Sequence, residues 1–331
     1  LRNIIMQLSP YGITPNYCLK IYKKYKDKAI SIINKNPYKL AEDIRGIGFK
    51  VADDIAKKLG IDKYSRDRIF QGILYTLNQS TSNGNTYLPL SILVPQAVKV
   101  LDVEAEHIKE GVIELAYTQK IHVEKDNNDI NVYLMPYYMA ENGVCREMIR
   151  LSQVDFEDLK INIDHEIKMI EREDGIKLAQ NQIMAVKEAI EQGVVIITGP
   201  GTGKTTTINT IIKVFENNDQ KVVLAAPTGR AAKRMSETSN KEAKTIHRLL
   251  EIGFGMDSDD LTFMKNEEDP IDADVVILDE VSMVDVVLMY SLLRAIKSGT
   301  RLLIVGDSDQ LPSVGAGNVL KDLIDSEVIN T

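Results

Sequence analysis

Lys204 and Thr205 stand near the end of the run Thr198-Gly-Pro-Gly-Thr-Gly-Lys-Thr-Thr-Thr207, and the apolar stretch Val194-Val195-Ile196-Ile197 leads directly into it. A buried strand entering a glycine-rich turn that ends in Lys-Thr is a cradle for phosphate. The glycines let backbone N–H groups approach the oxygens, and the helix that follows offers its positive N-terminus. On this reading Gly199, Pro200, Gly201, Thr202, Gly203, Lys204, Thr205 and Thr206 hold a nucleotide. Lys204 reaches the β- and γ-phosphates and the Thr205 hydroxyl ligates Mg²⁺. Two further apolar runs end in acidic or amide groups: Val275-Val-Ile-Leu-Asp279-Glu280, and Arg301-Leu-Leu-Ile-Val-Gly-Asp307-Ser-Asp309-Gln310. Asp279 is suited to hold Mg²⁺ through water, and Glu280 to orient and deprotonate the attacking water. Gln310, a neutral donor and acceptor, is suited to sensing the γ-phosphate. Together these residues describe an ATP-hydrolysing core that uses ATP and Mg²⁺.

The elements that must position these groups follow from the pattern around them. Strands are expected near 194–198, 221–226, 275–279 and 301–305, with helices between. Such alternation calls for an α/β domain with a parallel sheet covered on both faces.

The rest of the chain is less uniform. Of its 331 residues, 44% are hydrophobic and 27% charged, ordinary for a globular protein with two or three cores. No apolar stretch reaches the roughly 18 residues needed to span a bilayer, and no signal peptide opens the chain, so no membrane partner and a cytoplasmic location are expected. Cys18 and Cys145 are unrelated in context and the four histidines are scattered, which argues against a disulfide framework or a structural metal. The net charge of −8 hides an asymmetry: residues 1–64 hold 13 Lys+Arg against 6 Asp+Glu, a net of +7, leaving −15 for the remainder. The basic end is where a polyanion is expected to dock. The chain begins at Leu1 rather than methionine, which suggests a fragment.

Four segments are delimited. Residues 1–64 read as helices with short breaks; Leu40–Arg45, Gly46-Ile47-Gly48 and the helical pattern from Val51 to Leu59 form a helix-hairpin-helix. Its turn, at Gly46 and Gly48, can present N–H groups to a DNA phosphate without reading sequence; Asp53 and Asp54 beside it are expected to weaken that contact. Residues 65–140 show two helical faces followed by alternation at Ile121, Val123, Ile130, Val132 and Leu134, a winged-helix-like module with an acidic wing suited to structural use. Residues 141–176 are charged and helix-prone, a helical connector, and residues 177–331 carry the ATPase domain.

Residues 178–320 resemble the first motor domain of the RecD/TraA-type superfamily 1 DNA helicases. That resemblance implies a RecA-like domain in which Gln182, within Leu178-Ala-Gln-Asn-Gln182, contacts the adenine. Pro227, Thr228, Gly229 and Arg230 match the family's motif Ia, which grips the backbone of single-stranded DNA, and Thr245 and His247 match a further strand-contacting element. Asp279 to Asp285 is similar to the catalytic Mg²⁺ motif, and Gly306 to Gly315 to the motif that couples γ-phosphate to the strand. Residues 251–270 lie where the family inserts a small hairpin that helps split the duplex. The Gly46-Ile47-Gly48 region resembles the extension of the stand-alone RecD-like proteins. The resemblance implies an ATP-dependent helicase moving 5′→3′ on single-stranded DNA and acting at single-strand/duplex junctions; it leaves protein partners open.

Two departures stand out. The family reads Thr-Gly-Gly-Pro where this chain has Thr198-Gly199-Pro200, one glycine fewer. The chain also stops at Thr331, before the family's second motor domain and arginine fingers. Such a finger contributes roughly 10³–10⁵ in turnover, so the piece alone is expected to bind ATP and hydrolyse it poorly. The competing readings are a clamp-loader-type P-loop ATPase, which lacks the Gly-Asp-x-Asp-Gln-Leu-Pro run, and a non-catalytic DNA-binding adaptor with an inert nucleotide pocket, which the intact Lys204, Asp279 and Glu280 oppose.

Overall fold

A computed structural model describes residues 2–126, 129–154, 156, 161–199, 203–254, 261–310 and 312–331. The chain divides after Met135 into two compact units.

The first unit opens with short helices, α1 (Arg2–Leu8), α2 (Pro15–Tyr25), α3 (Ala29–Lys35), α4 (Lys39–Asp43) and α5 (Phe49–Lys58). They close around Leu8, Ile21, Ile33, Leu40, Ile47 and Ile55. Thr14 starts α2 as an N-cap, its hydroxyl accepting the Tyr17 N–H, with Pro15 in the first turn. There follow α6 (Arg66–Thr81), β1 (Tyr87–Pro89), α7 (Leu90–Leu101), α8 (Ala105–Tyr117), β2 (Ile121–Asp126) and β3 (Asp129–Leu134). The three strands form an antiparallel sheet in the order β1-β3-β2. The alternation in the sequence indicated β2 and β3; β1 is a third strand beyond them. Gly111 lets α8 approach α6 closely, since a Cβ there would lie 2.8 Å from both Ile69 and Ile73.

Asp53 corrects an expectation. Far from facing a phosphate at the hairpin, it is buried, and accepts hydrogen bonds from Arg68 (Nε 2.7 Å, Nη2 3.3 Å) and the Tyr38 hydroxyl (2.7 Å). Burial works against its charge, but the bonds from Arg68, Lys57 and Tyr38 prevail and hold the carboxyl below its ordinary range. Arg68 spends Nη1 on the carbonyls of Lys63 and Leu101. The network fastens α5, and with it the glycine turn, to α6.

The second unit contains α9 (Met135–Ser152), α10 (Ile163–Asp174), α11 (Gln180–Glu191), β4 (Val194–Ile197), α12 (Lys204–Asn217), β5 (Val222–Ala226), α13 (Gly229–Ser239), β6 (Ala243–Thr245), α14 (Ile246–Leu249), β7 (Ile252–Phe254), β8 (Leu261–Phe263), β9 (Val275–Leu278), α15 (Val286–Arg294), β10 (Arg301–Val305) and α16 (Val319–Asp325). Five strands make one parallel sheet, β4-β10-β9-β5-β6. Alternation along each strand feeds two cores. Val194, Ile196, Val276, Leu278, Leu302 and Ile304 face one layer, and Val195, Ile197, Val275, Ile277, Leu303 and Val305 the other. β6 is a fifth strand that the sequence reading did not include: three half-buried residues on the sheet edge leave no apolar run to find.

Residues 141–176 are not a free-standing connector. Ala140, Val144, Met148 and Leu151 of α9 pack into the same core as Met289, Leu292 and Leu293 of α15, and Ile167 and Ile170 of α10 enter the opposite core. Gly143 lets Tyr290 lie against α9; a Cβ there would fall 2.2 Å from the ring. Met289 is buried in this core, whereas Met283 is 42% exposed. Within the expected insertion, β7 and β8 pair as an antiparallel ribbon; its tip, 255–260, lies outside the described residues.

Candidate active site

Register brings the C-terminal ends of three strands together: Ile197 pairs with Val305 and Ile304 with Leu278. Thr198-Gly199, Gly306-Asp307 and Asp279-Glu280 therefore emerge side by side on one rim. This is where open parallel sheets bind ligands. Gly199 has φ +132, a conformation that favours glycine. Of the expected phosphate cradle, Pro200, Gly201 and Thr202 lie outside the described residues.

Lys204 opens α12, a helix of 14 residues, and its Nζ donates to the Gly199 carbonyl. Lys204, Thr205, Thr206, Arg234, Asp279 and Glu280 line a single cleft of about 300 Å³. Asp279 is largely enclosed. Burial pushes its carboxyl up, against the Glu280 N–H it accepts (2.8 Å) and the charges of Arg234 and Lys204. Asp279 and the exposed Thr205 hydroxyl offer hard oxygen donors to this cleft, the type that suits Mg²⁺. Glu280 adopts φ 55, ψ 40, the left-handed region, which is strained for a side chain of its size. That strain turns it away from the line of β9.

On the other side of Lys204 a second cleft, about 440 Å³, is lined by Gln182, Met184, Ala185, Glu188, Gly199, Gly203 and Asn330 among others. The Gln182 amide spans it at the base: Oε1 accepts the Ala179 N–H (2.8 Å) and Nε2 donates to the Gly203 carbonyl (3.1 Å). Lys204 borders both spaces.

Gln310 is exposed in the turn that follows β10, outside the Lys204–Glu280 cleft; its N–H donates to the Asp307 carbonyl (3.1 Å). Packing fixes the backbone here. A Cβ on Gly306 would lie 2.5 Å from Leu320, and one on Gly315 would lie 2.5 Å from Asp285. Asp285 meanwhile caps α15 by accepting the Leu288 N–H (2.9 Å). The segments ending in Gly315 and Asp285 are thus held against each other.

The residues expected at DNA lie elsewhere on that rim. Ala226 pairs with Thr245, so Pro227-Thr228-Gly229-Arg230 and Thr245-Ile246-His247 leave neighbouring strands together. Thr228 and Thr245 both spend their hydroxyls as N-caps, on the N–H groups of Ala231 and Arg248 (3.2 Å each). Arg230 is exposed, with no ion pair among the described residues. His247 is exposed and tilted against Phe263, ring centroids 5.7 Å apart. In the first unit Gly46 has φ +99, its carbonyl accepts the Tyr17 hydroxyl (2.7 Å), and Lys20 donates to the neighbouring Arg45 carbonyl (3.0 Å). Gly48 precedes α5 with no side-chain cap, which leaves the helix N-terminus open.

Arg234 was missed from the sequence. The one available signal was its spacing, four residues after Arg230, which puts both on one face of α13.

A parallel sheet with a lysine-bearing turn, a strand-end Asp-Glu pair and helices on both faces defines a RecA-like P-loop nucleotide-binding domain. Residues 182–316 match the AAA domain family, and residues 1–87 match the HHH domain of the ATP-dependent RecD2 DNA helicases. The ATP-dependent RecD2 DNA helicase of Deinococcus radiodurans is 30% identical over 332 residues, covering 96% of this chain and 44% of that protein. RecBCD enzyme subunit RecD of Mycobacterium tuberculosis is 38% identical over 168 residues, 44% of this chain and 28% of that protein. The same subunit from Haemophilus influenzae is 37% identical over 167 residues, 43% and 26%. The chain belongs to the RecD-like helicase family and shares with it the N-terminal region and the first motor domain. It spans less than half the length of these relatives. Among the described residues no helix is long and apolar enough to cross a membrane.

Proposed function

We propose that this chain is the nucleotide-hydrolysing part of a DNA helicase, coupling ATP turnover to 5′→3′ movement along single-stranded DNA and to opening of the duplex at a junction. The observation that carries the reading is the shared cleft of Lys204, Thr205, Asp279 and Glu280. Lys204 and the N-terminus of α12 bind the phosphates, and Glu280 orients the attacking water and takes its proton. Thr205, and Asp279 through water, would hold Mg²⁺, which would supply charge neutralisation at the phosphates. Gln310 senses the γ-phosphate from the turn that follows β10.

Gln182 reads the base. Its amide has two lone pairs and two donors, and with one of each engaged internally, one lone pair and one N–H remain. That matches the amino group and N7 of adenine and mismatches guanine, which offers two acceptors on that edge. Pro227, Thr228, Gly229, Arg230, Thr245 and His247 hold the single strand, and the turn at Gly46 and Gly48 holds a phosphate of the DNA. The named activity of the Deinococcus relative, an ATP-dependent DNA helicase, supports this. The 5′→3′ direction rests on the family resemblance alone.

The test is ATP turnover by the protein as its own gene encodes it, with and without oligo(dT). Turnover should rise with single-stranded DNA and vanish in Lys204→Ala, whose N-terminal unit stays folded by circular dichroism. No stimulation at any DNA length refutes the motor reading in favour of an adaptor; activity retained by Lys204→Ala moves the site elsewhere.

A further inference from the structure

We propose that Arg234 is a positioning residue that holds Glu280 until single-stranded DNA engages the same helix, so that α13 links the strand to the hydrolytic step. The inference rests on the helicase reading above and deepens it. Arg234 Nη1 stands 3.8 Å from Glu280 Oε1, across the cleft from Lys204 and Thr205. Its charge also bears on Asp279. No other ion pair of the described residues reaches Glu280.

The route to DNA is short. α13 is a single helix of 11 residues begun by the Thr228 cap, and Arg230 precedes Arg234 by four residues, one above the other on one face, about 6 Å along the axis. Arg230 is exposed and free to take a phosphate. A helix of this length moves as a unit, so a phosphate drawn onto Arg230 displaces Arg234 as well. The pair it would break is open: the Arg234 side chain is 74% exposed and that of Glu280 24%. Exposed pairs are worth little enough to be lost to a small shift. Glu280 has a further reason to move, since its left-handed backbone is strained. In the DNA-free state the carboxylate is thus engaged by Arg234, and DNA frees it to face the attacking water.

The experiment compares wild type, Arg234→Gln and Arg234→Lys, each as the full gene product, measuring kcat and KM for ATP with and without oligo(dT). Arg234→Gln should raise the DNA-free kcat about two- to fivefold, the range expected from losing an exposed ion pair. The ratio of DNA-stimulated to DNA-free turnover should fall by the same factor. Arg234→Lys, which keeps the charge, should restore most of the wild-type ratio. An Arg234→Gln enzyme with a wild-type ratio, or with turnover lowered equally with and without DNA, overturns the coupling while leaving the helicase reading intact. A wild type that DNA does not stimulate overturns both.

Discussion

Replacing Arg68 by methionine tests the account of the N-terminal unit most severely. The substitution leaves the buried Asp53 carboxylate with only the Tyr38 hydroxyl and Lys57, and strips donors from the Lys63 and Leu101 carbonyls. Removing one partner of a buried ion pair costs about 3–5 kcal/mol. Against a domain stability of roughly 5–15 kcal/mol that is a large fraction, and at a urea slope near 2 kcal/mol/M it lowers the midpoint by about 2 M. Hydrogen exchange locates the loss, which should appear first in α5 and α6. The double variant Asp53→Asn/Arg68→Met should recover much of it, because the charge stranded by the single change is gone. A sign in pH accompanies this. Asp53 is held below the ordinary carboxylate value, so its contribution is complete above about pH 4 and disappears as pH falls through the folded value. Asp53→Asn should therefore lose stability less steeply in acid than wild type. An Arg68→Met variant within 1 kcal/mol of wild type, or a double variant no better than the single, refutes the argument.

Other outcomes follow from particular residues. Glu280→Gly should abolish turnover yet raise the unfolding free energy by up to about 1 kcal/mol, since glycine removes a left-handed strain of roughly 1–2 kcal/mol and returns part of it as chain entropy; a destabilised Glu280→Gly contradicts the strain. Gly315→Ala should cost about 1–3 kcal/mol by driving a methyl into Asp285, and an unchanged melting curve would show that the contact relaxes freely. Replacing Lys20, Lys23, Lys24 and Lys26 by glutamine should flatten the plot of log affinity for DNA against log salt if these side chains reach phosphate, whereas an unaltered slope assigns them to solvent.

What the sequence disclosed followed from how strongly each feature is written into it. β4, β9 and β10 are buried on both faces and so read as unbroken apolar runs, Val194–Ile197, Val275–Leu278 and Leu302–Val305. Their polar ends, Lys204 and the Asp279-Glu280 pair, stood out for the same reason. β6 and β1, three residues each, have no periodicity to detect. Asp53 looked like an unfavourable surface acid because its partners, Tyr38 and Arg68, are each 15 residues away and only the fold unites them. Residues 141–176 read as a connector because their charged residues mask the spaced Val144, Met148 and Leu151, which pack into the neighbouring core. Arg234 stands in a helix rich in basic residues, and only its four-residue spacing from Arg230 distinguishes it from Lys233.

Asn330 adds its backbone to the outer flank of β4, its carbonyl accepting the Ile196 N–H (2.9 Å) and its side chain donating to Glu188 (3.0 Å). A nascent chain still short of that residue would display β4 as a bare, apolar sheet margin, open to pairing with another molecule. It would also lack one wall of the space beside Gln182. Translation must therefore run more than a hundred residues past Lys204 before Asn330 can cover β4, and until then the half-made domain depends on not meeting its own kind.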